Sequence, residues 1–305
     1  LLTGLQVAVI GGDARQLEVI KKLSELDARI ILIGFDQLGS SFPGTFKEDF
    51  DDFDPKNLDA IILPVSGASE DGKIQSIFTS KDLYLNENFI SKTMPNSVIY
   101  SGIGTNFLVQ IADKTKRKLI NLLDRDDVAI YNSIPTVEGV LLLTIQNTDF
   151  TIHGSNVIIL GLGRCGLSLA RVFHAIGAKV KVGVRKTEYM ARITEMGIEP
   201  FHLDQLKQEV SNVDICINTI PHQIITSEVI AQMPHHTTII DIASKPGGTD
   251  FKFAERRGIN ALLAPGLPGI VAPKTAGKIL ANVLTQLLSK QLQTKNTQEK
   301  RDWNK

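Results

Sequence analysis

The chain has 305 residues, more than a single hydrophobic core usually serves, so two domains are expected. Lysine plus arginine total 33 and aspartate plus glutamate total 33, a balance that leaves no basic field to attract nucleic acid. The only cysteines, Cys165 and Cys216, exclude a disulfide framework, lack metal-ligand spacing and read as small packing residues.

No uninterrupted apolar stretch is long enough to span a bilayer, and no charged leader precedes the first apolar run; a soluble cytoplasmic protein without a metal site is expected. In chain order, the first strand signal ends at Val9-Ile10 and runs into the turn Gly11-Gly12-Asp13-Ala14-Arg15. Further strand signals lie at Leu58 to Pro64 and Ser97 to Ser101, the latter opening the turn Ser101-Gly-Ile-Gly104, whose amides can receive a carboxylate or simply form a turn. Ile134-Pro135-Thr136-Val-Glu138-Gly139 precedes an apolar periodic segment, and a helix is predicted over Val137 to Gln146. Thr136 stands near its cap position. Glu138 near its start is a candidate acid or base, or a helix-stabilising charge.

A shift of 150 positions superimposes a second copy on the first. Val9-Ile-Gly11 falls on Ile159-Leu-Gly161, Leu17 on Leu167, and Asp27 to Ile30 on Gly177 to Val180. The expected fold is therefore α/β: two doubly wound Rossmann-like domains with parallel sheets. In the second copy Gly161-Leu-Gly163-Arg164-Cys165-Gly166 follows the apolar run Val157 to Leu160 and precedes an amphipathic segment. Gly161 permits the tight turn, Gly163 lets amides approach a diphosphate, and Gly166 lets the helix pack against its strand, so a nicotinamide dinucleotide is expected there, with Arg164 and Cys165 in contact. The next strand, Lys179 to Val184, ends in Arg185-Lys186 rather than in an acid. A guanidinium fork and an ammonium suit a 2′-phosphate, which favours NADP over NAD. The first copy carries Asp13 and Gln16 where the second has Gly163 and Gly166, and a carboxylate there repels diphosphate. That domain is expected to hold substrate, with Arg15 as an anion ligand or as a salt-bridge partner of Asp13.

Later strand ends supply the remaining candidates. Thr219, Ile220 and Pro221 are expected beside the nicotinamide or its ribose, the last two as an apolar wall. His222 follows as a candidate for proton transfer. Asp241 is expected to orient a hydroxyl or cap a helix, Ala243 and Gly266 to contact the cofactor, and Lys245 to hold a carboxylate or face solvent. A second helix is predicted over Pro273 to Leu288. The expected domains are 1–134 with 272–290, then 135–271, joined by two long crossover helices that let a cleft close, with 291–305 as a flexible polar tail.

In combination, Val9-Ile-Gly-Gly-Asp-Ala-Arg15, Ser133-Ile-Pro-Thr-Val-Glu-Gly139, Leu160-Gly-Leu-Gly-Arg-Cys-Gly166, Asn218-Thr-Ile-Pro221 and Ala264-Pro-Gly-Leu-Pro-Gly269 resemble the family of the larger, A-type component of dipicolinate synthase from spore-forming bacteria, over about Leu5 to Leu288. The resemblance implies oxidation of a dihydrodipicolinate-type ring to pyridine-2,6-dicarboxylate, with hydride passing to NADP, in the mother-cell cytoplasm during sporulation. It also implies a partner, the second, smaller, flavoprotein-like component of dipicolinate synthase, and a homo-oligomer is expected. A dicarboxylate needs cations or amides, for which Arg15, Ser101, Thr136 and Lys245 are candidates, and one base, for which His222 and Glu138 compete. The glycine turn alone is shared with 2-hydroxy-acid dehydrogenases and adenosylhomocysteinase. The former's Arg, Glu and His set is not evident here, because Arg256 and Arg257 lie beyond the strand ends. An NADP-binding scaffold whose flavoprotein partner does the chemistry stays open, since no unmistakable catalytic dyad stands out.

Overall fold

The computed structural model describes residues 1–303, with side chains as far as residue 297. Two compact units divide the chain: Leu1–Ala129 with Pro273–Lys305, and Ile130–Ala272. The expected boundary at 134/135 thus falls inside a helix and a few residues late.

The first unit opens with β1 (Gln6–Ile10), α1 (Ala14–Glu25), β2 (Arg29–Ile33), β3 (Thr45–Glu48) and β4 (Ala60–Ile62). The short antiparallel pair β5 (Lys73–Ile74) and β6 (Leu83–Tyr84), then α2 (Glu87–Ser91), β7 (Val98–Ser101), α3 (Asn106–Thr115) and β8 (Lys118–Asn121), complete its first segment. The six-stranded sheet has the order β3-β2-β1-β4-β7-β8 and is parallel throughout. Its central strands are nearly unbroken apolar runs because helices cover both faces. Alternation within each strand sends Val7, Val9, Ile30 and Leu32 into one cluster and Ala8, Ile10, Ile31 and Ile33 into the other. Asp13 caps α1 by accepting from Arg15 N at 3.0 Å.

Next comes α4 (Asp126–Asn147), which begins eleven residues before the predicted helix and holds Pro135 in its interior. Proline removes one amide and crowds the turn before it, yet this helix runs through, so a reading that stops at Pro135 loses the first half. By length and composition α4 would pass for a membrane span, with mean hydropathy 1.5 and 44 % burial. Its apolar content has another use, since Val137 and Val140 lie in a core of the second unit.

The second unit alternates strands and helices: β9 (Asn156–Leu160), α5 (Arg164–Ala175), β10 (Lys179–Val184), α6 (Thr187–Glu195), β11 (Glu199–His202), α7 (Leu206–Glu209), β12 (Ile215–Asn218), α8 (Ser227–Ile230), β13 (Thr238–Asp241), α9 (Phe251–Arg257), β14 (Asn260–Leu263) and α10 (Leu267–Val271). Its sheet is parallel, in the order β11-β10-β9-β12-β13-β14. In each unit the order reverses direction beside the first strand, and the crevice outside the carboxyl ends there is where such sheets bind ligands.

The last helix, α11 (Pro273–Trp303), returns to the first unit and buries Leu280, Ala281, Leu284 and Leu288 in its core. Gly277 makes this approach possible, because a Cβ there would stand 2.5 Å from Arg15 O. Residues 291–303 are helical rather than a flexible tail; the expectation for 304–305 lies outside the described residues. The polar face has partners: Gln291 Nε2 donates to Asp59 O (2.7 Å), Tyr100 Oη donates to Gln291 Oε1 (3.1 Å), and Lys295 Nζ donates to Asp59 Oδ1 (2.8 Å). Asp59 is buried and its other oxygen accepts from Gln6 N at 2.9 Å. Lys295→Met strands that carboxylate and should cost about 1–3 kcal/mol, while Lys295→Arg should retain most of it. The midpoint of urea unfolding checks this, and an unchanged midpoint in Lys295→Met would show that the ion pair adds nothing.

Candidate functional site

At the carboxyl end of β9, Gly161 adopts φ +95° and donates its amide to Gly183 O (2.9 Å), turning the chain sharply into α5. A Cβ on Gly166 would stand 2.1 Å from Gly161 O, so this glycine lets helix and turn touch. Gly163 differs from both. It is the exposed residue preceding α5, and a Cβ there would meet no atom within 4 Å. Bare backbone at the amino end of a 12-residue helix is the arrangement that receives a diphosphate, through amides and the helix dipole. The turn is braced by Thr219, whose hydroxyl donates to Leu160 O at 2.8 Å, and by Ser133 and Ser168, whose hydroxyls are 2.8 Å apart between α4 and α5. Arg164 is exposed at the first position of α5. Cys165 is half-buried; burial pushes its thiol up, against the opposing Arg164 charge and a hydrogen bond with Thr136.

The matching turn in the first unit is closed by its own chain. Gly11 N donates to Ile33 O (2.9 Å), just as Gly161 N does to Gly183 O, but Gly12 N is taken by Gln75 O (2.8 Å) and Gly12 O by Ile77 N (2.9 Å). The Gln16 side chain is buried and donates from Nε2 to Leu63 O (3.2 Å), and a Cβ on Gly12 would stand 2.3 Å from its Cγ. Arg15 holds the Asp13 carboxylate through Nε (2.9 and 3.1 Å) and Nη2 (2.6 Å). Burial works against ionisation of Asp13, yet the Arg15 hydrogen bonds and charge outweigh it and keep the carboxyl below its usual range. Of the two alternatives for Arg15, the ion pair is the one formed.

Beyond β10, Arg185 is exposed and its carbonyl accepts from His202 Nε2 at 3.2 Å. Lys186 is the residue before α6, with its ammonium 3.7 Å from Glu188 and 5.6 Å from the Tyr189 ring centroid. Both cations therefore stand at the carboxyl edge of the sheet that carries the open turn.

The loops after β12 and β13 form one fabric. Asn218 clamps the Ile220 peptide, accepting from Ile220 N and donating to Ile220 O, both at 3.0 Å. Ile224 N and Ile225 N both donate to Gly248 O, and Asp250 N donates to Ile225 O. His222 and Pro221 are exposed on the first loop and Lys245 on the second, while Thr219 and Ile220 are half-buried. Gly266, at φ +73°, is exposed before α10, and a Cβ there would meet no atom within 4 Å.

Several expectations are corrected. Asp241 does not face a ligand: it is fully buried and accepts from Asn218 Nδ2 (3.0 Å), Ala243 N (3.1 Å), Gly248 N (2.7 Å) and Thr249 Oγ1 (2.7 Å). Ala243 is buried too, and its amide is spent on that carboxylate. Ser101 is fully buried with its hydroxyl donated to Ile103 O (2.7 Å), and the amides of Gly102 and Ile103 go to Pro64 O and Val65 O, so this turn is a junction and not a carboxylate receptor. Thr136 is buried mid-helix and donates to Asn132 O (2.7 Å), as Thr hydroxyls inside helices do, so it caps nothing. Glu138 is exposed well inside α4 rather than at a helix start. Asn218, Gly248 and Thr249 were missed as site-forming residues; the Gly247-Gly248 pair was the available signal. Among the described residues no group of three or more His, Cys, Asp or Glu side chains is placed to hold a metal ion.

Residues 6–123 match the family of the N-terminal domain of the dipicolinate synthase A-type component, and residues 128–304 match the alanine dehydrogenase/PNT C-terminal domain family. The chain is 56 % identical over 289 residues to the A-type component of dipicolinate synthase from Bacillus subtilis (strain 168), covering 95 % of this chain and 97 % of that one. It is also similar to the crystal structure of the same component from Bacillus halodurans, with 59 % identity, TM-score 0.93, and coverage of 94 % of this chain and 99 % of that one. The crystal structure of the Bacillus subtilis protein gives 55 % identity and TM-score 0.93, covering 96 % and 99 % respectively.

The two glycines should separate fold from ligand. Gly166→Ala is expected to lower the melting temperature of the second unit by more than about 5 °C, because the clash is with backbone, whereas Gly163→Ala should shift it by less than about 2 °C. Equal losses in the two variants, read by scanning calorimetry, would contradict this division of roles.

Proposed function

This chain belongs to the family of the dipicolinate synthase A-type component, and on that premise we propose that it oxidises a dihydrodipicolinate-type ring to pyridine-2,6-dicarboxylate with NADP as hydride acceptor. The dehydrogenase-type second unit supports an oxidoreductase that uses a nicotinamide cofactor. The observation that carries the reading is the contrast between the two glycine turns: the backbone around Gly163 is open, while in the first unit Asp13 stands at that position and the adjoining Gly12 is closed off by Gln16 and Gln75. In its oxidised form, the dinucleotide supplies an electrophilic ring carbon that accepts hydride.

The protein's own groups have distinct tasks in this scheme. Amides at the start of α5 and the Gly163 backbone bind the diphosphate, with Arg164 and Cys165 beside them. Arg185 meets the 2′-phosphate with a planar fork of donors, and Lys186 adds charge. Thr219, Ile220 and Pro221 form one side of the nicotinamide pocket, and Gly266 leaves room for the cofactor. Lys245 on the second unit and Arg15 on the first are each proposed as a cation for a substrate carboxylate, Arg15 by exchanging part of its bond with Asp13. Aromatisation releases one hydride and one proton. We assign the proton to His222 ahead of Glu138, because its loop is joined by hydrogen bonds to the one that carries Lys245. A second, flavoprotein-like component of dipicolinate synthase, self-association and a cytoplasmic location in the sporulating mother cell complete the proposal.

Freshly generated lysine-pathway intermediate, purified protein and NADP should give rising NADPH absorbance, whereas a rise seen only when the second component is added would defeat catalysis by this chain alone. Arg185→Ala should lower the preference for NADP over NAD by about tenfold or more, the size of a lost charge-assisted contact to phosphate. Dissociation constants for both cofactors check this, and an unaltered ratio would defeat the NADP assignment.

A further inference from the structure

The carboxylate of Asp241 is committed entirely to its own protein. It is 0 % exposed, lies at the end of β13, and spends both oxygens on donors from the end of β12 and from the loop that follows β13 itself. Oδ1 takes Asn218 Nδ2 and Ala243 N; Oδ2 takes Gly248 N and Thr249 Oγ1. A desolvated carboxylate is costly unless every lone pair is met by a good donor, and here four donors meet it. Asn218, also 0 % exposed, passes the constraint onward by gripping both ends of the Ile220 peptide. Gly248 then lies so close to that loop that a Cβ would stand 2.4 Å from His222 O and 2.8 Å from Ile220 O.

We propose that Asp241, Asn218 and Thr249 act together as positioning residues that hold the Thr219–His222 loop in the one conformation able to wall the nicotinamide ring. The inference rests on the dinucleotide reading given above, and it concerns side chains that are buried in the protein. Anchoring the diphosphate at Gly163 depends less on this network, because that turn is held by Gly183 O and by Gly166 packing on Gly161 as well as by the Thr219 hydroxyl on Leu160 O. Loss of one member of the network should therefore loosen one end of the ligand and spare the other. Thr249 is the member to change first, since valine keeps its shape and removes only the hydroxyl donor; Asp241→Asn is the harsher second variant.

The test measures binding by calorimetry with the full chain, using matched pairs of probes: NADPH against 2′,5′-ADP, and NADH against ADP. Each pair shares its adenosine half, and the smaller member lacks the nicotinamide. For whichever pair binds more tightly, Thr249→Val should weaken the dinucleotide about tenfold, the order expected for a charge-assisted hydrogen bond, and change the fragment less than about twofold. Thr249→Ser, which keeps the hydroxyl, should restore dinucleotide binding. A merely structural role would lower the melting temperature and weaken both probes alike, or neither; either result with wild-type binding intact overturns the inference and leaves the dinucleotide reading standing. If the wild-type protein binds neither pair, the dinucleotide reading fails and takes the inference with it. Should Thr249→Val not fold, selective loss of the dinucleotide in Asp241→Asn supports the proposal, and parallel loss of both probes overturns it.

Discussion

A diphosphate can be seated on backbone amides only where no side chain stands between, and that constraint organises this protein. Gly163 meets it: the position before α5 is exposed, and a methyl group there would touch nothing. The corresponding turn of the first unit fails it twice, once because Gln16 lies over Gly12 and once because Gln75 has taken the Gly12 amide. Both turns keep the same tie to the neighbouring strand, Gly11 N to Ile33 O and Gly161 N to Gly183 O. The fold at this corner is thus common to both units, while what lies above it differs.

The two units are copies in further detail. Each places an aspartate just before its fourth sheet strand in chain order, and each of these carboxylates accepts the amide at the start of the unit's first strand: Asp59 from Gln6 N at 2.9 Å and Asp214 from Asn156 N at 2.7 Å. The remaining oxygen is where they part. Asp214 meets His236 at 2.8 Å from its own unit's surface, whereas Asp59 is covered by α11 and meets Lys295 at 2.8 Å. A buried carboxylate at that position needs a cation, and the chain's last helix delivers one. Past its apolar stretch α11 runs far enough to place Lys295 there.

Features set by local pattern were legible in the sequence, and features set by distant partners were not. Near-continuous apolar runs such as Val157 to Leu160 mark buried parallel strands, and the spacing of Gly161, Gly163 and Gly166 marks the turn, because each glycine answers a constraint within a few residues. The helical state after residue 290 was hidden, since Gln291 and Lys295 find their partner in Asp59, 236 residues away from Lys295. Asp241 read as a ligand group because an aspartate closing a parallel strand stands at the right edge of the sheet; only the surrounding donors reveal that its carboxylate points inward. Ser101 misled for the same reason. Pro135 obscured the first half of α4, where Val128 is buried in a core of the first unit while Ile130, Tyr131 and Ile134 are exposed.

If one unit kept the seat and the other filled it, a bound dinucleotide must leave a footprint on only one of two similar turns. Amide hydrogen exchange of the intact chain, with and without saturating NADPH, reads both turns in one experiment. The account predicts slowed exchange across Gly161 to Leu167, with that at Gly11 to Gln16 unchanged. Protection confined to Gly11 to Gln16 would contradict it.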